Sequence, residues 1–450
     1  MSTKAVHRVL VANRGEIAVR VIRAAHSLGW EAVAVFSDAD ADALWVRMAE
    51  AAVHLGSSPA GKSYLDIDKV VEAARSSGCD VVHPGYGFLS ERASFARAVT
   101  AAGLTFVGPS AEVIETMGDK AAARRTAAAA GVPVVPGSDV LSSPDAALEH
   151  ATQLGYPVLV KASAGGGGRG IRFVQNPNDL AAAVSTAQSE ARAAFGDDAV
   201  YLEKVIVDAR HIEVQVIADR HGTVGHAFER DCSVQRRRQK LLEEAPAPDL
   251  SAALRTAMLD TSMALTRQVG YVGVGTLEYL VTGEDFYFIE MNTRIQVEHP
   301  ISEQITGLDL VIEQLRIAVG EPLSFDPAHI EVTGVCFEFR INAEDPARDF
   351  FPSPGTLERF DLPGGPGVRV ETGYVAGATV PPFYDSLLAK IVVHGRDRAE
   401  AIARSVQALS ELQIDGVAHT RDLHLQLLRE TDIAEGPVST AWLEHYLQRE

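Results

Sequence analysis

The chain has 450 residues, 46% of them hydrophobic, and its 41 lysines and arginines against 60 aspartates and glutamates leave a net charge of −19. This length suffices for two or three domains with buried cores, and the negative charge argues against a general binder of nucleic acid or anionic lipid. Because the sequence shows no signal-peptide pattern, no apolar run of membrane-spanning length and only three cysteines without metal-ligand spacing, we expect a cytoplasmic protein that binds no membrane.

The N-terminal region alternates short apolar runs with amphipathic stretches. The apolar runs lie at residues 8–12, 32–36, 80–83 and 105–107, and a helical pattern covers 16–28. This alternation predicts a parallel sheet covered by helices. The loop Asn13-Arg14-Gly15-Glu16 lacks the complete G-x-G-x-x-G fingerprint of a dinucleotide fold, so we interpret it as a structural turn.

A second module begins near a helix predicted over residues 120–130. A predicted strand ends in Lys161 and runs into four glycines at 165–168, which Arg169 follows directly. Glycine N–H groups can close over phosphate oxygens and a glycine run can open and shut, so the pattern favours a mobile lid over a flexible linker. No Gly-Lys-Ser/Thr follows, which excludes a Walker motif. Lys120 and Lys161 are the candidates to reach the phosphates.

A hairpin predicted around residues 282–285 is the most informative part of the chain. A three-residue loop over 283–285 would place Glu278 directly opposite Glu290. Opposed like charges destabilise a strand pair unless a cation lies between them. With Asn292 adjacent, these oxygen ligands predict a Mg²⁺ site that bridges to nucleotide phosphates.

The polar residues after this hairpin alternate with apolar ones. If the chain stays extended, one face carries Glu290, Asn292, Arg294, Gln296 and Glu298. Such a mixed face suits a cleft that binds ligands. The alternative is a solvent-exposed polar face with Glu278 on the other side of the hairpin.

Two further groups of charged residues are candidates for binding anions. The basic run at residues 235–240 is flanked by acidic residues, which favours a site for a small acidic substrate over a nucleic-acid patch. Arg340, on a predicted strand, presents a planar fork suited to carboxylate or bicarbonate, although a salt bridge with Glu338 is an equal alternative. A lone histidine such as His83 or His211 is more often packed than catalytic.

Several motifs together make the chain resemble the biotin carboxylases, members of the ATP-grasp superfamily. They are VANRGEIA at 11–18, HPGYGFLSE at 83–91, MGDK at 117–120, EEAP at 243–246 and FIEMNTRIQVEHP at 288–300. The resemblance implies an α/β (α+β) ATP-grasp fold. It implies a parallel-sheet N-terminal domain at 1–117, an ATP-grasp domain at 118–320 with a mobile lid at about 133–204, and a strand-rich C-terminal domain at 321–450.

The resemblance also implies roles for individual side chains. ATP would be held by Lys120, Lys161, Gly167, Gly168, Glu203, Lys204, Val205, Ile206, His211 and Gln235. Two divalent ions, Mg²⁺ or Mn²⁺, would bind Glu278, Glu290 and Asn292. Bicarbonate and biotin would contact Lys240, Arg294, Gln296, Val297 and Arg340. The catalytic residues would be Lys240, Arg294, Arg340 and Glu298, with Glu298 as the base.

The mechanism implied by the resemblance begins when Glu298 removes a proton from bicarbonate, which then attacks ATP to form carboxyphosphate. Phosphate released from that intermediate takes the biotin proton, and Arg340 stabilises the enolate-like anion. The sequence contains no Ala-Met-Lys-Met biotin-attachment motif, so biotin would arrive on a biotin carboxyl carrier protein. Carboxyltransferase subunits would complete an acetyl-CoA or acyl-CoA carboxylase, and a homodimer is expected from the resemblance.

Two positions depart from the family pattern, and two other functions remain open. Arg238 replaces a frequent His that helps hold the nucleotide ribose, and Ala164 replaces a fifth glycine, which implies altered nucleotide contacts and a slightly stiffer lid. Another ATP-grasp ligase would share the lid and the metal site but not the biotin-pocket residues. A catalytically silent nucleotide-binding subunit would not need the intact carboxylates and lysines.

Overall fold

The computed structural model describes residues 6–141, 143–163 and 171–449. The N-terminal part comprises β1 (Arg8–Val11), α1 (Gly15–Ser27), β2 (Glu31–Ser37), α2 (Leu44–Met48), β3 (Ala51–Gly56), α3 (Ile67–Ser76), β4 (Val81–His83), α4 (Ala93–Ala101), β5 (Thr105–Phe106) and α5 (Ala111–Gly118). Its five strands form a parallel sheet in the order β3-β2-β1-β4-β5. Val9 and Leu10 point into different hydrophobic clusters, so both faces are covered. The predicted parallel sheet is confirmed.

The turn after β1 holds the first helix in place. Gly15 has a positive φ of 69°, and the Asn13 amide donates to the carbonyls of Pro84 and Tyr86 at 2.8 and 2.7 Å. Arg14 makes two hydrogen bonds of 2.9 Å to Asp40 in the interior. These contacts confirm a structural role for the turn.

The next part of the chain is a small subdomain with its own core. It follows α6 (Lys120–Ala129) and contains α7 (Pro144–Leu154), β6 (Val158–Ala162), β7 (Ile171–Val174), α8 (Pro177–Phe195) and β8 (Val200–Lys204). The three strands form an antiparallel sheet in the order β7-β6-β8, on which α7 and α8 pack. The predicted glycine lid, with Ala164, Gly167 and Gly168, lies outside the described residues.

One large antiparallel sheet carries most of the polar residues singled out in the sequence. Its neighbourhood comprises β9 (Arg210–Ala218), β10 (Val224–Arg236), β11 (Gln239–Ala245), α9 (Ala252–Gln268), β12 (Gly273–Thr282), β13 (Asp285–Asn292), α10 (His299–Thr306), α11 (Leu310–Ala318) and β14 (Val335–Asn342). The remaining strands and helices are β15 (Glu344–Asp345), β16 (Phe351–Pro352), β17 (Gly355–Thr356), β18 (Arg359–Asp361), β19 (Val368–Thr372), β20 (Thr379–Val380), β21 (Leu387–Gly395), α12 (Arg398–Glu411), β22 (Gln413–Asp415), α13 (Arg421–Leu427), α14 (Thr431–Glu435) and α15 (Trp442–Leu447).

The large sheet is continuous across residue 320. Its strand order is β13-β12-β9-β10-β11-β14-β21-β19, and the pair β11–β14 joins segments from the two sides of that residue. Arg340 on β14 and Lys240 on β11 therefore belong to one sheet, although 100 residues separate them in the chain. None of the helices in the described part of the chain combines the length and apolar character needed to cross a membrane.

Candidate active site

The β12–β13 hairpin places the buried carboxylate of Glu278 opposite the half-buried carboxylate of Glu290. Glu278 pairs directly with Glu290, which confirms the predicted opposition. The predicted three-residue loop is wrong, because Thr282 pairs with Asp285 and leaves a two-residue turn in which Gly283 has a φ of 57°. Tyr279 pairs with Phe288 and the neighbouring Glu278 pairs with Glu290, so Ile289 is an extra residue that forms a β-bulge. This bulge offsets the shorter turn and restores the predicted pairing of Glu278 with Glu290.

The chain does not stay extended beyond Asn292. Residues 293–298 form a loop that enters α10, whose first turn contains Pro300, so the predicted continuous strand face is wrong. The loop nevertheless turns back onto the sheet: Gln296 donates to Glu278 at 2.8 Å, and Arg294 donates to Asn292 at 3.1 Å. Glu278, Asn292 and Gln296 are 3–7% exposed, which excludes a solvent-exposed face.

Lys240 lies at the centre of the buried charges. Its ammonium donates to Glu213 at 2.6 Å, Glu278 at 3.0 Å and Glu298 at 2.6 Å. Burial disfavours the ammonium, but the three carboxylates together hold the pKa of Lys240 well above its ordinary value. Lys240 therefore remains a cation between Glu278, which belongs to the predicted metal site, and Glu298.

Arg340 reaches the same carboxylate from the neighbouring strand. Its guanidinium donates to Glu243 at 2.6 Å and to Glu298 at 3.0 Å. Among the described residues, Arg340 makes no hydrogen bond or ion pair with Glu338. The salt bridge with Glu338, offered above as an alternative role for Arg340, is therefore wrong. Burial alone would raise the pKa of Glu298, but Lys240, Arg340 and Arg230 outweigh burial and lower it well below its ordinary value. Glu298 is thus ionised at neutral pH and able to accept a proton.

The residues predicted to hold the nucleotide lie mainly at the edge of the small subdomain. Lys161 forms an ion pair with Glu203, and Arg124 approaches the same carboxylate at 3.9 Å. Lys120 begins α6, and burial together with Lys161 and Arg238 lowers the pKa of its ammonium despite the opposing effects of Glu290 and Glu203. The cations Lys120 and Lys161 therefore lie close enough to interact with each other and with Glu203.

Two residues predicted to bind the nucleotide, Lys204 and Gln235, have side chains that make hydrogen bonds outside the charged cluster. Lys204 donates to the carbonyls of Gly155 and Tyr156 at 2.7 and 3.3 Å, because neighbouring strand residues face opposite sides of the sheet. The Gln235 amide donates to the carbonyl of Cys232 at 3.4 Å. Neither side chain joins the charged cluster.

The other predicted residues take different places around the pocket. His211 lies 3.2 Å from Glu278, which raises the pKa of the imidazole against the effect of burial. Val205 and Ile206 follow β8 directly, and the carbonyl of Val297 accepts a hydrogen bond of 2.7 Å from Lys390.

The basic run at 235–240 does not act as one anion site. Arg237 and Arg238, both with positive φ, form the turn between β10 and β11. Arg236 and Arg237 form ion pairs with Asp349 at the surface, whereas Lys240 lies on the next strand and points into the pocket. The prediction was wrong for Arg236 and Arg237, because the turn redirects their side chains.

The opposed carboxylates fit a divalent cation. The Glu290 carboxylate makes no hydrogen bond or ion pair with any described residue, and burial and Glu278 raise its pKa. The Asn292 amide donates to Glu278 at 2.9 Å and accepts a hydrogen bond of 3.1 Å from Arg294, so it lies beside the Glu278 carboxylate. Two carboxylates and an amide oxygen are the hard ligands that Mg²⁺ prefers.

The sequence did not single out several residues that complete the pocket. One is Glu91, which forms an ion pair with Arg294. The others are Glu213 and Arg230, which form an ion pair with each other, together with Glu243 and Lys390. Glu213 could have been found from strand alternation, because it shares a face with His211. Glu91 and Glu243 lie inside quoted motifs but had no assigned role. Lys390 gave no signal, since its contacts lie about 90 residues or more away in the chain.

Comparison with known proteins places these features in a class. Three family models match in succession: "Biotin carboxylase, N-terminal domain" at residues 5–114, "Carbamoyl-phosphate synthase L chain, ATP binding domain" at 119–325, and "Biotin carboxylase C-terminal domain" at 338–445. The biotin carboxylase–βγ-ATP complex from Campylobacter jejuni has a TM-score of 0.95 at 44% identity and covers 98% of this chain and 99% of that chain. The fold is that of an ATP-grasp ligase.

Relatives that align over nearly the whole chain identify the family within the ATP-grasp ligases. Biotin carboxylase 1 of Bacillus subtilis is 48% identical and covers 98% of this chain and 99% of its own. The biotin carboxylase domain dimer of Hydrogenobacter thermophilus 2-oxoglutarate carboxylase, with MgADP, ADP and bicarbonate, has a TM-score of 0.94 at 45% identity, covering 98% of each chain. The chain belongs to the biotin carboxylase family. The predicted fold class and ATP-dependent carboxylation of biotin are confirmed.

Proposed function

We propose that this chain uses ATP and bicarbonate to carboxylate biotin carried by a separate protein, with Glu298 as the base. The observation that carries the assignment is the position of the ionised Glu298 carboxylate between Lys240 at 2.6 Å and Arg340 at 3.0 Å. A carboxylate between two cations can accept a proton from an anion that the same cations attract. Bicarbonate is such an anion.

The mechanism follows from the two sides of the pocket. Glu298 takes the bicarbonate proton, and the bicarbonate oxygen attacks the terminal phosphoryl group of ATP held near Lys120 and Lys161, so that carboxyphosphate and ADP form. Glu278, Glu290 and Asn292 would hold Mg²⁺, which neutralises charge on the phosphates. Carboxyphosphate yields CO2 and phosphate, the phosphate takes the ureido proton of biotin, and Arg340 stabilises the resulting anion before it joins CO2.

The partners follow from the same assignment. The similarity of this chain to Biotin carboxylase 1 of Bacillus subtilis supports a biotin carboxyl carrier protein and carboxyltransferase subunits as partners. The dimer of the Hydrogenobacter domain supports a homodimer. That domain belongs to a 2-oxoglutarate carboxylase, so the final acceptor would depend on the transferase and not on this chain. We also place the protein in the cytoplasm and keep the division at residues 1–117, 118–320 and 321–450.

Replacing Arg340 by alanine tests the biotin half of the proposal. We expect biotin-stimulated ADP release to fall by about 10²–10³-fold, because the anion of biotin loses its main cationic partner. The measurement is ADP release from ATP with Mg²⁺ and bicarbonate, with and without free biotin or a biotinylated carrier domain. ATP cleavage without biotin should fall less.

The same assay separates the competing functions. If the wild type cleaves ATP only with an acceptor other than biotin, the protein is an ATP-grasp ligase but not a biotin carboxylase. No turnover with any acceptor would support a silent nucleotide-binding subunit.

Replacing Glu290 by glutamine tests the metal site. Loss of an outer partner of a metal ligand already costs about 10–100-fold in affinity, so the Mg²⁺ concentration for half-maximal activity should rise at least about tenfold. A titration of activity with Mg²⁺ measures this shift. Glu284→Gln, in the turn of the same hairpin and bonded to Ser251, is the matched control and should leave the titration unchanged. An unchanged midpoint for Glu290→Gln would remove Glu290 from the ligand set.

A further inference from the structure

Glu338 is a buried carboxyl group that the mechanism above does not use. It lies on β14, is 0% exposed, and neither of its carboxyl oxygens has a hydrogen-bond partner among the described residues. In the sheet it lies directly opposite Glu243, which is also 0% exposed. Two carboxyl groups thus face each other in the protein interior, and only Glu243 has a charged partner at hydrogen-bonding distance.

The cations near Glu338 are already engaged. Arg340, two residues along the same strand, contacts Glu243 and Glu298. Lys390, on the other neighbouring strand, donates to the carbonyl of Val297 at 2.7 Å and lies 3.1 Å from Glu16. An ionised Glu338 would therefore be a further buried negative charge without a hydrogen bond, beside cations that other carboxylates already neutralise.

The remaining groups around Glu338 do not change this balance. The titratable and charged groups of the elements packed around it are Arg340 and Cys336 on β14, Glu243 on β11, Lys390 on β21, Arg369 on β19, and Glu298, His299 and Glu303 at α10. Burial raises the pKa of the Cys336 thiol and lowers that of His299, so both are neutral at neutral pH. Arg369 is paired with Glu303 at 2.7 Å.

We propose that Glu338 is a positioning residue that stays a neutral carboxylic acid and thereby leaves Arg340 with enough positive charge to act on its substrate. Two opposed buried carboxyl groups cannot both ionise without a cation between them. A charged Glu338 would be a third carboxylate close to the guanidinium and would offset its attraction for the biotin anion. The role of Arg340 toward biotin rests on the proposed function, whereas the neutral state of Glu338 does not.

The directions of the pKa shifts agree with this arrangement. Burial raises the pKa of Glu338 well above its ordinary value, and Glu243 adds to the rise although Lys390 and Arg340 oppose it. Burial also raises the pKa of Glu243, to about 7, against the effect of Arg340. Of the two, Glu243 has the ion pair with Arg340, so we assign the proton to Glu338.

The sign of the stability effect follows from the raised pKa. Above the ordinary carboxyl pKa the unfolded chain releases the Glu338 proton while the folded chain keeps it, so this group lowers stability as the pH rises from about 4.5 toward its folded pKa. Glutamine mimics the neutral acid and has no proton to release. We expect Glu338→Gln to have a higher Tm than the wild type at neutral and alkaline pH, with the difference shrinking toward about pH 5.

Thermal unfolding of the full chain at matched protein concentration, over a pH series, tests this expectation. Glu229→Gln is the control, because Glu229 is buried but forms an ion pair with Arg255 at 2.8 Å, so its replacement should lower Tm at neutral pH. If Glu338→Gln also lowers Tm at neutral pH, Glu338 is an ionised partner in the charge cluster and the proposal is overturned.

A pH profile of activity tests the link to Arg340. In the wild type the kcat/KM for free biotin should fall on the alkaline side as Glu338 ionises, and in Glu338→Gln this fall should move to higher pH. A role in packing alone would not move the profile, and an identical alkaline fall in both proteins would overturn the positioning role. If no biotin-dependent turnover occurs at all, the proposed function fails, while the unfolding series still decides the protonation state of Glu338.

Discussion

Glu298→Gln is expected to lower kcat for bicarbonate-dependent ATP cleavage by about 10²–10⁴-fold, the usual contribution of a general base. Glutamine preserves the size of the side chain and can accept hydrogen bonds from Lys240 and Arg340, but its amide oxygen cannot take the proton of bicarbonate. In the wild type these two cations keep the pKa of Glu298 below its ordinary value. The carboxylate is therefore in the proton-accepting form throughout the neutral range.

Steady-state ADP release with saturating ATP and varied bicarbonate measures the effect. Glu313→Gln is the control for the loss of a buried carboxylate: Glu313 lies on α11 and accepts a hydrogen bond of 3.0 Å from the backbone of Ser324. The control should retain activity. A Glu298→Gln variant with near-normal kcat would show that the proton leaves bicarbonate by another route.

The part of this site that was predictable from the sequence is the part built by local geometry. The opposition of Glu278 and Glu290 follows from counting residues across one hairpin, and it survived a wrong loop length because the bulge at Ile289 compensated for it. Strand alternation also implies that Lys204 faces away from Glu203. The sequence alone therefore permitted the inference that the Lys204 side chain points away from the nucleotide, although Lys204 was predicted to bind it.

Contacts between distant strands were not predictable in this way. Arg340 and Glu338 share a strand face, which made their salt bridge an equal alternative, but the choice of Glu243 as the partner of Arg340 depends on β11 lying beside β14. Lys390 reaches Val297 only because β21 is the next strand of the same sheet. The order of strands in a sheet is a non-local property, and periodicity within one strand does not encode it.

Lys240→Met is expected to be the most destabilising single change in the pocket. Methionine fills the space of the side chain but leaves Glu213, Glu278 and Glu298 without their shared cation. Breaking a buried ion pair by removing one partner costs about 3–5 kcal/mol in free energy of unfolding. Activity should be lost as well, because Glu298 then becomes harder to ionise and the pocket loses a cation that attracts bicarbonate.

The pH dependence of unfolding gives this prediction a sign. In the wild type the pKa values of Glu278 and Glu298 are below their ordinary values, so their contribution to stability is present above the unfolded carboxyl pKa and is lost as the pH falls through the folded one. In Lys240→Met the same carboxylates are buried without the ammonium, and protonation relieves the cost. The free energy of unfolding of the two proteins should therefore converge as the pH is lowered from neutral toward about 4.

Chemical denaturation over a pH series measures this convergence, with Lys161→Met as the matched control. Lys161 pairs with the single carboxylate Glu203 and its side chain is 17% exposed, compared with 12% for Lys240. Its loss should cost less stability and show a weaker dependence on pH, while still impairing the use of ATP. If both variants lose the same stability at neutral pH, the three carboxylates around Lys240 do not act as one cluster. Lys240 joins Glu278, on the metal side of the pocket, to Glu298. Equal losses would therefore also mean that the nucleotide and bicarbonate halves of the pocket are built independently.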